Sequence, residues 1–342
     1  MHILNYRSYD RLLQGLRGSN VFWQIARWAS IFVPSRIFRN VPDKIIVELT
    51  NFCNLRCPTC PTYHAMQRER GFMKLELFKK LIDEFEHLDK KPDISMDFAG
   101  EPLLHKQIDQ FVAYASARGH YTYIGTNATQ LTEDISSKLI EAGLGGICVA
   151  VDGATKEAHE AYRQGSDFNA VRKNVENFIR IRQNLHQRRP NVIVQTLLTS
   201  LSDSQIDNVA SWAKTIGAET LFTKPFSLGS HTTESQRAQY SYLLPKDSKH
   251  RIKTSRVYKT LCTLPLNDAV VFFNGDLGVC CVDFNGTMSQ IKANISESSF
   301  LKQFNSREFI KARKQGLLKK YILCQTCIFG DREFSGAEYD LT

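Results

Sequence analysis

Three closely spaced cysteines are the residues best suited to chemistry in this sequence. Cys53, Cys57 and Cys60 are separated by three and two residues and follow a strand-like stretch from Lys44 to Leu49. A cubane iron–sulfur cluster has four irons, each normally held by one cysteine, so three thiolates leave one iron open to a small molecule. Structural zinc needs a closed set of four ligands, and an odd number of cysteines argues against a disulfide framework.

This cysteine loop resembles that of the radical S-adenosylmethionine (SAM) enzymes, although Thr59 stands where that family often has an aromatic residue. The resemblance implies that Cys53, Cys57 and Cys60 hold a [4Fe–4S] cluster whose open iron chelates the amine and carboxylate of SAM. One electron then cleaves SAM to a 5′-deoxyadenosyl radical, which takes a hydrogen atom from the substrate. The implied electron donor is a flavodoxin- or ferredoxin-type protein.

The end of the second predicted strand carries Gly100, Glu101 and Pro102, which resemble the family's Gly-Gly-Glu-Pro motif with Ala99 in place of the first glycine. In the family this strand end meets the SAM amino group. An ammonium needs acceptors, and the Glu101 carboxylate and exposed strand-end carbonyls can supply them. A Gly-Glu-Pro triplet alone is also an ordinary turn sequence.

Two further strand ends resemble SAM-contacting segments of the family. Asn127 lies in a Thr-Asn-Ala segment similar to the family's Thr-Asn-Gly. Asp152 lies where Ser-Leu-Asp-Gly is usual, with Ala150 replacing the serine. Arg163 follows Tyr162, as in a Tyr-Arg pair whose guanidinium fork suits the SAM carboxylate. The alternatives are turn formation for Asn127 and Asp152 and a surface ion pair for Arg163.

A second cysteine group lies near the C-terminus. Cys262 and Cys280 frame a predicted hairpin, and Cys324 and Cys327 form a C-x2-C pair. Four thiolates suit either a zinc ion or a fully ligated iron–sulfur cluster. The segment resembles the SPASM or twitch extension of radical SAM enzymes. Because no cysteine follows Cys327, the resemblance implies one auxiliary [4Fe–4S] cluster.

Two cysteines remain as candidate hydrogen donors. Cys148 has the same strand parity as Ala150 and Asp152, so it is expected to face the interior with them. Cys281 directly follows Cys280 and is expected to point away from it, toward the barrel mouth. The alternative is that Cys148 is only a small buried hydrophobe and that Cys281 is a spare thiol or an alternative ligand.

Strand and helix patterns alternate six times between residue 44 and about residue 225, which predicts an α/β fold of parallel βα units. The patterns do not separate a doubly wound sheet from a partial barrel, but the resemblance implies a partial (β/α)6 TIM-like barrel. A hairpin and a helix follow as a small C-terminal SPASM/twitch extension. The predicted segments are 1–40 (basic and amphipathic), 41–226 (core barrel), 227–260 (linker) and 261–342 (extension).

The composition is that of a soluble globular protein, with 42% hydrophobic and 23% charged residues. No apolar run is long enough for a bilayer and no signal sequence is evident, so a cytoplasmic location is expected. The basic, amphipathic residues 20–33 suggest either peripheral membrane contact or a helix docked on the main domain. Nucleic-acid binding is not expected, since no interleaved basic and aromatic pattern occurs elsewhere.

These features predict a radical SAM enzyme that abstracts hydrogen from a carbohydrate- or cyclitol-like substrate, small or carrier-bound, and oxidises or epimerises it. One alternative is a peptide-modifying radical SAM maturase, although the 40 or so residues before the barrel are few for a peptide-binding domain. The alternative from another class is a non-enzymatic zinc or iron–sulfur protein that binds nucleic acid.

Overall fold

The structure is a computed structural model that describes residues 40–228, 232–247, 250, 262, 264–288, 291–325, 327 and 337–342. The predicted basic segment, with its candidate membrane-contacting residues 20–33, lies outside the described residues. None of the described helices has both the length and the apolar character needed to cross a membrane.

One nine-stranded sheet organises the described chain, in the order β8-β7-β1-β2-β3-β4-β5-β6-β9. Strands β1 to β6 are parallel, as predicted. The mixed α/β fold with a parallel sheet, expected of a partial TIM-like barrel, is therefore confirmed. The strands are Lys44–Val47 (β1), Asp93–Ser95 (β2), Thr122–Thr126 (β3), Gly146–Ala150 (β4), Asn191–Leu198 (β5), Thr220–Pro225 (β6), Asp268–Val271 (β7), Leu277–Gly278 (β8) and Ala337–Asp340 (β9).

Amphipathic helices connect the parallel strands and cover one face of the sheet. In Leu75–Asp83, for example, the buried residues recur at helical spacing. Side chains at Thr132, Thr155 and Asp167 cap the helices that follow them by accepting backbone N–H groups. The longer barrel helices are Leu75–Asp83, Ile108–Ala117, Glu133–Glu141, Lys156–Tyr162, Phe168–Asn184 and Ile206–Ile216.

The two faces of the barrel strands differ in chemistry. Ile94, Ile124 and Val149 belong to the apolar core between the strands and the helices. Side chains alternate along a strand, so Ser95, Tyr123 and Cys148 face the opposite, concave side. We call that side the lumen.

The C-terminal segment extends the same sheet at both edges. Strand β7 pairs in parallel with β1 and antiparallel with β8, so the predicted hairpin continues the barrel sheet. Strand β8 ends at Gly278, and β9 pairs antiparallel with β6 at the other edge. The remaining C-terminal helices are Leu264–Asn267, Phe300–Phe304 and Arg307–Leu317.

The segment predicted as a linker contains a short helix, Glu234–Tyr240, which begins with a capping box at Thr233. Beyond it, Leu243 is fully buried against Leu197 and Phe226 at the end of the barrel. This part of the segment is therefore packed on the barrel.

Candidate active site

The cysteine loop after β1 lies against the turn that follows β2. The Glu101 N–H donates to the Phe52 carbonyl at 2.7 Å. Gly100 has φ +73°, and a Cβ added to it would lie 2.5 Å from the Phe52 oxygen and 2.9 Å from the Asn51 Cα. Only glycine allows both this backbone conformation and this close approach. The Gly-Glu-Pro turn therefore fixes the start of the cysteine loop.

The three loop thiols gather at one place. Cys53, Cys57 and Cys60 lie within electrostatic range of one another. Burial raises the pKa of the Cys57 thiol to about 12, while the nearby Arg163 guanidinium opposes that rise. Within the described part of the chain, no three Cys, His, Asp or Glu side chains are close enough to hold a single metal ion. Three thiols leave one iron of a cubane cluster open, whereas structural zinc needs a closed set of four ligands.

Glu101 joins the ends of β2 and β3. Its Oε1 accepts the Leu103 N–H at 3.0 Å and the Thr126 hydroxyl at 2.7 Å, and its Oε2 accepts the Asn127 N–H at 2.8 Å. Burial raises the pKa of this carboxyl, and the three donors oppose the rise. Because Oε2 accepts a single hydrogen bond from the part of the chain that the structure describes, it retains acceptor capacity for an ammonium. Pro102 begins the short 3-10 helix that presents the Leu103 donor.

Asn127 ties the cysteine loop to the end of β3. Its amide nitrogen donates to the Asn54 side-chain oxygen at 3.0 Å and approaches the Cys53 sulfur at 3.9 Å. The following residue, Ala128, has φ +58°, at the position where the resembling family has glycine. Asn127 thus positions the loop, whatever else it contacts.

Asp152 and Arg163 form an ion pair below the cysteine loop. Arg163 Nε lies 2.7 Å from Asp152 Oδ2, and the Asp152 side chain is fully buried. The other carboxylate oxygen accepts the Leu197 N–H at 2.8 Å. Burial alone would lower the pKa of Arg163, but Asp152 and the Cys57 thiol raise it. Neither terminal nitrogen of Arg163 has an acceptor among the described residues, so its fork can accept a ligand carboxylate.

The four C-terminal cysteines also come together. Cys262 lies within electrostatic range of Cys327 and Cys280, and Cys280 and Cys324 pack in one buried cluster that Cys327 contacts. The Cys262 N–H donates to the Leu317 carbonyl at 3.0 Å, which holds it beside the last long helix. The donor set is four thiols, as a fully ligated cluster requires.

The two remaining thiols, Cys148 and Cys281, differ in the groups that surround them. Cys148 faces the lumen with its thiol hydrogen-bonded to Tyr123, and burial raises its pKa to about 11. Cys281 lies within electrostatic range of Cys280 and of Lys224, and its expected orientation toward the barrel mouth stays a prediction. Strand β8 ends at Gly278, so both cysteines lie in the turn that follows the strand.

A buried ion pair that the sequence patterns did not indicate joins the two cysteine sites. Arg68 donates to both Glu48 oxygens, at 2.8 and 2.5 Å, and to the Phe284 carbonyl at 2.7 Å. Glu48 also accepts the Phe273 N–H at 3.1 Å. Asn285 completes the junction by donating to the Ala65 carbonyl at 2.8 Å. We call these contacts the Arg68 junction. It links the segment after the first cysteine loop to the turn after Cys280.

Other lumen residues were also missed at the level of sequence. Asp97 and Lys224 carry opposite charges at the ends of β2 and β6, and Tyr123 lies between them in the strand order. Side chains alternate along a strand, and the alternation that predicts Cys148 to face the interior also predicts it for Tyr123.

Comparison with known proteins agrees with this geometry. Residues 47–213 match the family model of the Radical SAM superfamily. The chain therefore contains a Radical SAM domain, and members of that superfamily use a [4Fe–4S] cluster and SAM.

Curated relatives resemble only part of the chain. The mycofactocin maturase MftC of Mycobacterium tuberculosis is 26% identical over 258 residues, which are 71% of this chain and 63% of that protein. The AdoMet-dependent heme synthase of Methanosarcina barkeri is 27% identical over 226 residues, 63% of this chain and 62% of that protein. A tungsten-containing aldehyde ferredoxin oxidoreductase cofactor-modifying protein of Pyrococcus furiosus is 25% identical over 178 residues, which are 52% of this chain and 49% of that protein. The chain thus spans less than two thirds of these relatives' length.

Solved structures share the fold. BtrN in complex with AdoMet and 2-DOIA matches with a TM-score of 0.53 and 23% identity, covering 84% of this chain and 93% of that one. Streptococcus suis SuiB bound to S-adenosylmethionine matches with a TM-score of 0.64 and 15% identity, covering 91% of this chain and 77% of that one. At these identities the likeness concerns the fold alone.

Proposed function

We propose that this radical SAM enzyme abstracts hydrogen from a carbohydrate- or cyclitol-like substrate, which it oxidises or epimerises. The observation that carries the proposal is the lining of the lumen. Charged and hydrogen-bonding groups line this concave side of the barrel strands, among them Asp97, Tyr123 and Lys224. A hydroxylated substrate fits such a lining because each of its oxygens can both donate and accept hydrogen bonds.

The proposed roles of the site residues follow from the hydrogen bonds and metal bonds that each can still form. Cys53, Cys57 and Cys60 would hold the [4Fe–4S] cluster, and the cluster and SAM, when bound, supply the 5′-deoxyadenosyl radical. Glu101 Oε2 would accept a hydrogen bond from the SAM amine, since among the described residues it accepts only the Asn127 N–H. The terminal nitrogens of Arg163 would bind the SAM carboxylate while its Nε stays on Asp152.

The C-terminal thiols would hold an auxiliary [4Fe–4S] cluster through Cys262, Cys280, Cys324 and Cys327. A fully ligated cluster has no open iron for substrate, so its proposed role is to carry an electron. A substrate that is oxidised by hydrogen abstraction must lose one further electron and a proton. A flavodoxin- or ferredoxin-type donor would supply the electron that starts SAM cleavage.

Anaerobic reconstitution with iron and sulfide tests this proposal. Wild-type protein should bind two clusters and cleave SAM when reduced by dithionite. Replacing Cys53, Cys57 and Cys60 together with alanine should abolish cleavage and leave about four irons per chain. Zinc at the C-terminal site, or full SAM cleavage by the triple variant, would contradict the proposal. Zinc without SAM binding would instead favour the non-enzymatic alternative.

A peptide-modifying maturase is the second candidate. It is favoured by two relatives named as a PqqA peptide cyclase and a mycofactocin maturase. Deuterium transfer distinguishes the two candidates, because the abstracted atom appears in 5′-deoxyadenosine. Transfer from a deuterated sugar or cyclitol supports the first candidate, and transfer only from a deuterated peptide supports the second.

A further inference from the structure

One side chain of the Arg68 junction, that of Asn285, binds the backbone of the barrel at two points. Its nitrogen donates to the Ala65 carbonyl at 2.8 Å, and its oxygen accepts the Gln67 N–H at 2.8 Å. An amide side chain suits this position because it carries a donor and an acceptor at once. Asn285 therefore fixes the path of residues 65–67, which follow the first cysteine loop.

On the barrel side, a single turn of helix separates this contact from Cys60. The helix Pro61–His64 has Cys60 at its N-cap and Ala65 at its C-cap, and the Cys60 carbonyl accepts the Tyr63 N–H at 3.1 Å. So short a helix is not stable by itself, because the first hydrogen-bonded turn is costly to form. The position of Cys60 therefore depends on tertiary contacts of this turn, and Asn285 provides one of them from the C-terminal segment.

On the other side, the turn that carries Asn285 is built on the C-terminal cysteine site. The Asp283 N–H donates to the Cys280 carbonyl at 3.1 Å, and the Asp283 carboxylate accepts the Met288 N–H at 2.8 Å. Met288 packs in the buried cluster that contains Cys280 and Cys324. Asn285 lies in the middle of this turn, so its position depends on how Cys280 is held.

We propose that Asn285 is a positioning residue through which the C-terminal cysteine site holds Cys60 in the geometry that the SAM-binding cluster needs. When the C-terminal thiols are bound to their cluster, Cys280 is fixed, and the turn that presents Asn285 is fixed with it. The first cysteine loop then loses less conformational freedom on binding its own cluster. Occupancy of the C-terminal site therefore increases the retention of iron at Cys53, Cys57 and Cys60. This inference rests on the proposed function and adds a dependence of one cysteine site on the other.

Iron loss from reconstituted protein tests the inference. Wild type, Asn285→Ala and a variant without the C-terminal site (Cys324→Ala with Cys327→Ala) are reconstituted anaerobically and exposed to a chelator of ferrous iron. The first cluster is followed through the EPR signal of reduced samples that changes when SAM is added, because only a cluster with an open iron can bind SAM. Both variants should lose this signal about fivefold or more faster than wild type, since coupled sites typically affect each other at least that strongly. Loss at the wild-type rate in either variant would overturn the inference.

Combining the changes separates transmission through Asn285 from two unrelated defects. If Asn285 transmits the effect, adding Asn285→Ala to the variant without the C-terminal site should not accelerate loss of the first cluster any further. If the two accelerations multiply instead, the two changes act independently, and the role of Asn285 is refuted.

Asn305 supplies a matched control. It is also a half-buried asparagine of the C-terminal segment, and it donates to the Asn40 carbonyl at 2.8 Å, which lies before β1 and thus at the end opposite the cysteine loop. Iron-free Asn285→Ala and Asn305→Ala should unfold at similar urea concentrations, but Asn305→Ala should keep the first cluster as long as wild type does. Equally accelerated loss in the two variants would contradict the inference. If Asn285→Ala does not fold, Asn285→Asp takes its place, because it cannot donate to the Ala65 carbonyl and should also lose the cluster faster than wild type.

The wild-type sample separates this inference from the proposed function. If reconstituted wild type gives no SAM-sensitive cluster signal, the proposed function fails. If wild type gives the signal but Asn285→Ala retains it for as long, only the role of Asn285 fails.

Discussion

Gly100 shows how a single residue can set the geometry of a cofactor loop. Its positive φ is a property that several glycines of this chain share. Its crowding is more unusual, because the missing Cβ would collide with backbone atoms of the cysteine loop rather than with a flexible side chain. Backbone cannot move aside without displacing the cysteines that follow it.

Replacing Gly100 with alanine should therefore destabilise the protein and impair cluster retention. The positive φ costs about 1–2 kcal/mol for any L-residue, and the collision adds about 1–3 kcal/mol. Gly119→Ala is the matched control, because Gly119 has φ +83° but its nearest contact is the Lys91 side chain at 3.7 Å. Urea unfolding of the iron-free variants measures the difference. Equal losses in the two variants would contradict the steric argument.

The Cys148 thiol provides a second test at the scale of one residue. Its raised pKa keeps it protonated at neutral pH, so it carries a hydrogen atom that a substrate radical can take. The resulting thiyl radical must then regain an electron and a proton. If the reaction is an epimerisation that uses this thiol, product formed in deuterated water gains one deuterium at the inverted carbon, and Cys148→Ala fails to form it.

The opposite result is equally informative. A product two hydrogens lighter, formed equally well by Cys148→Ala and Cys281→Ala, would identify an oxidation and leave both thiols as packing groups. In that case the hydrogen bond that the Tyr123 hydroxyl donates to the Cys148 sulfur matters only for the shape of the lumen.

Among the larger elements, the Arg68 junction joins the barrel to the C-terminal hairpin. The Arg68 side chain is 14% exposed and that of Glu48 is fully buried. The guanidinium also lies 4.1 Å from the centre of the Phe272 ring. One arginine thereby satisfies a buried carboxylate, an aromatic face and a carbonyl that belong to separate elements.

Arg68→Met should lower the free energy of unfolding by about 3–5 kcal/mol, because it leaves the buried Glu48 carboxylate without its cation. Arg118→Met is the control, since Arg118 pairs with Asp83 on the surface, where an ion pair contributes about 0–1 kcal/mol. Chemical denaturation measures both. Adding Glu48→Gln to Arg68→Met should recover part of the loss, and a small, equal loss in both single variants would contradict the argument.

The sequence predicted those elements whose signals are local. Strands β1 to β6 were recognisable as apolar runs between helical patterns, and Cys53, Cys57 and Cys60 by their short spacing. The pairing of β7 with β1 joins residues more than two hundred positions apart, and no local pattern specifies it. Glu48 and Arg68 were missed for a similar reason, because each is an ordinary charged residue until the fold brings them together.

For the molecule as a whole, the order of strands in the sheet determines which sites are neighbours. Strand β7 lies beside β1, so the hairpin that leads to Cys280 begins next to the strand that leads to Cys53. The rings of Phe98 and Phe284 stack at 5.3 Å, which places aromatic side chains between the lumen and the turn after Cys280. The two cysteine sites are thus joined through one continuous sheet and through the Arg68 junction.

The last described strand has a consequence for how this protein behaves at high concentration. Strand β9 pairs with β6 through the register Thr220 with Asp340 to Thr223 with Ala337. Without it, β6 would present a row of unpaired N–H and C=O groups, which can recruit a strand from another molecule. Residues 337–340 therefore cover this edge of the sheet.

Ending the chain at residue 336 should make the protein associate in a concentration-dependent way that light scattering detects. Glu338→Gln keeps the backbone pairing of β9 and should remain monodisperse. A truncated chain that stays monodisperse would show that the edge of β6 is protected by other means. The strand that covers this edge has only four residues, and none of them belongs to the lumen. Its side chains can therefore vary as long as the backbone pairing with β6 is retained.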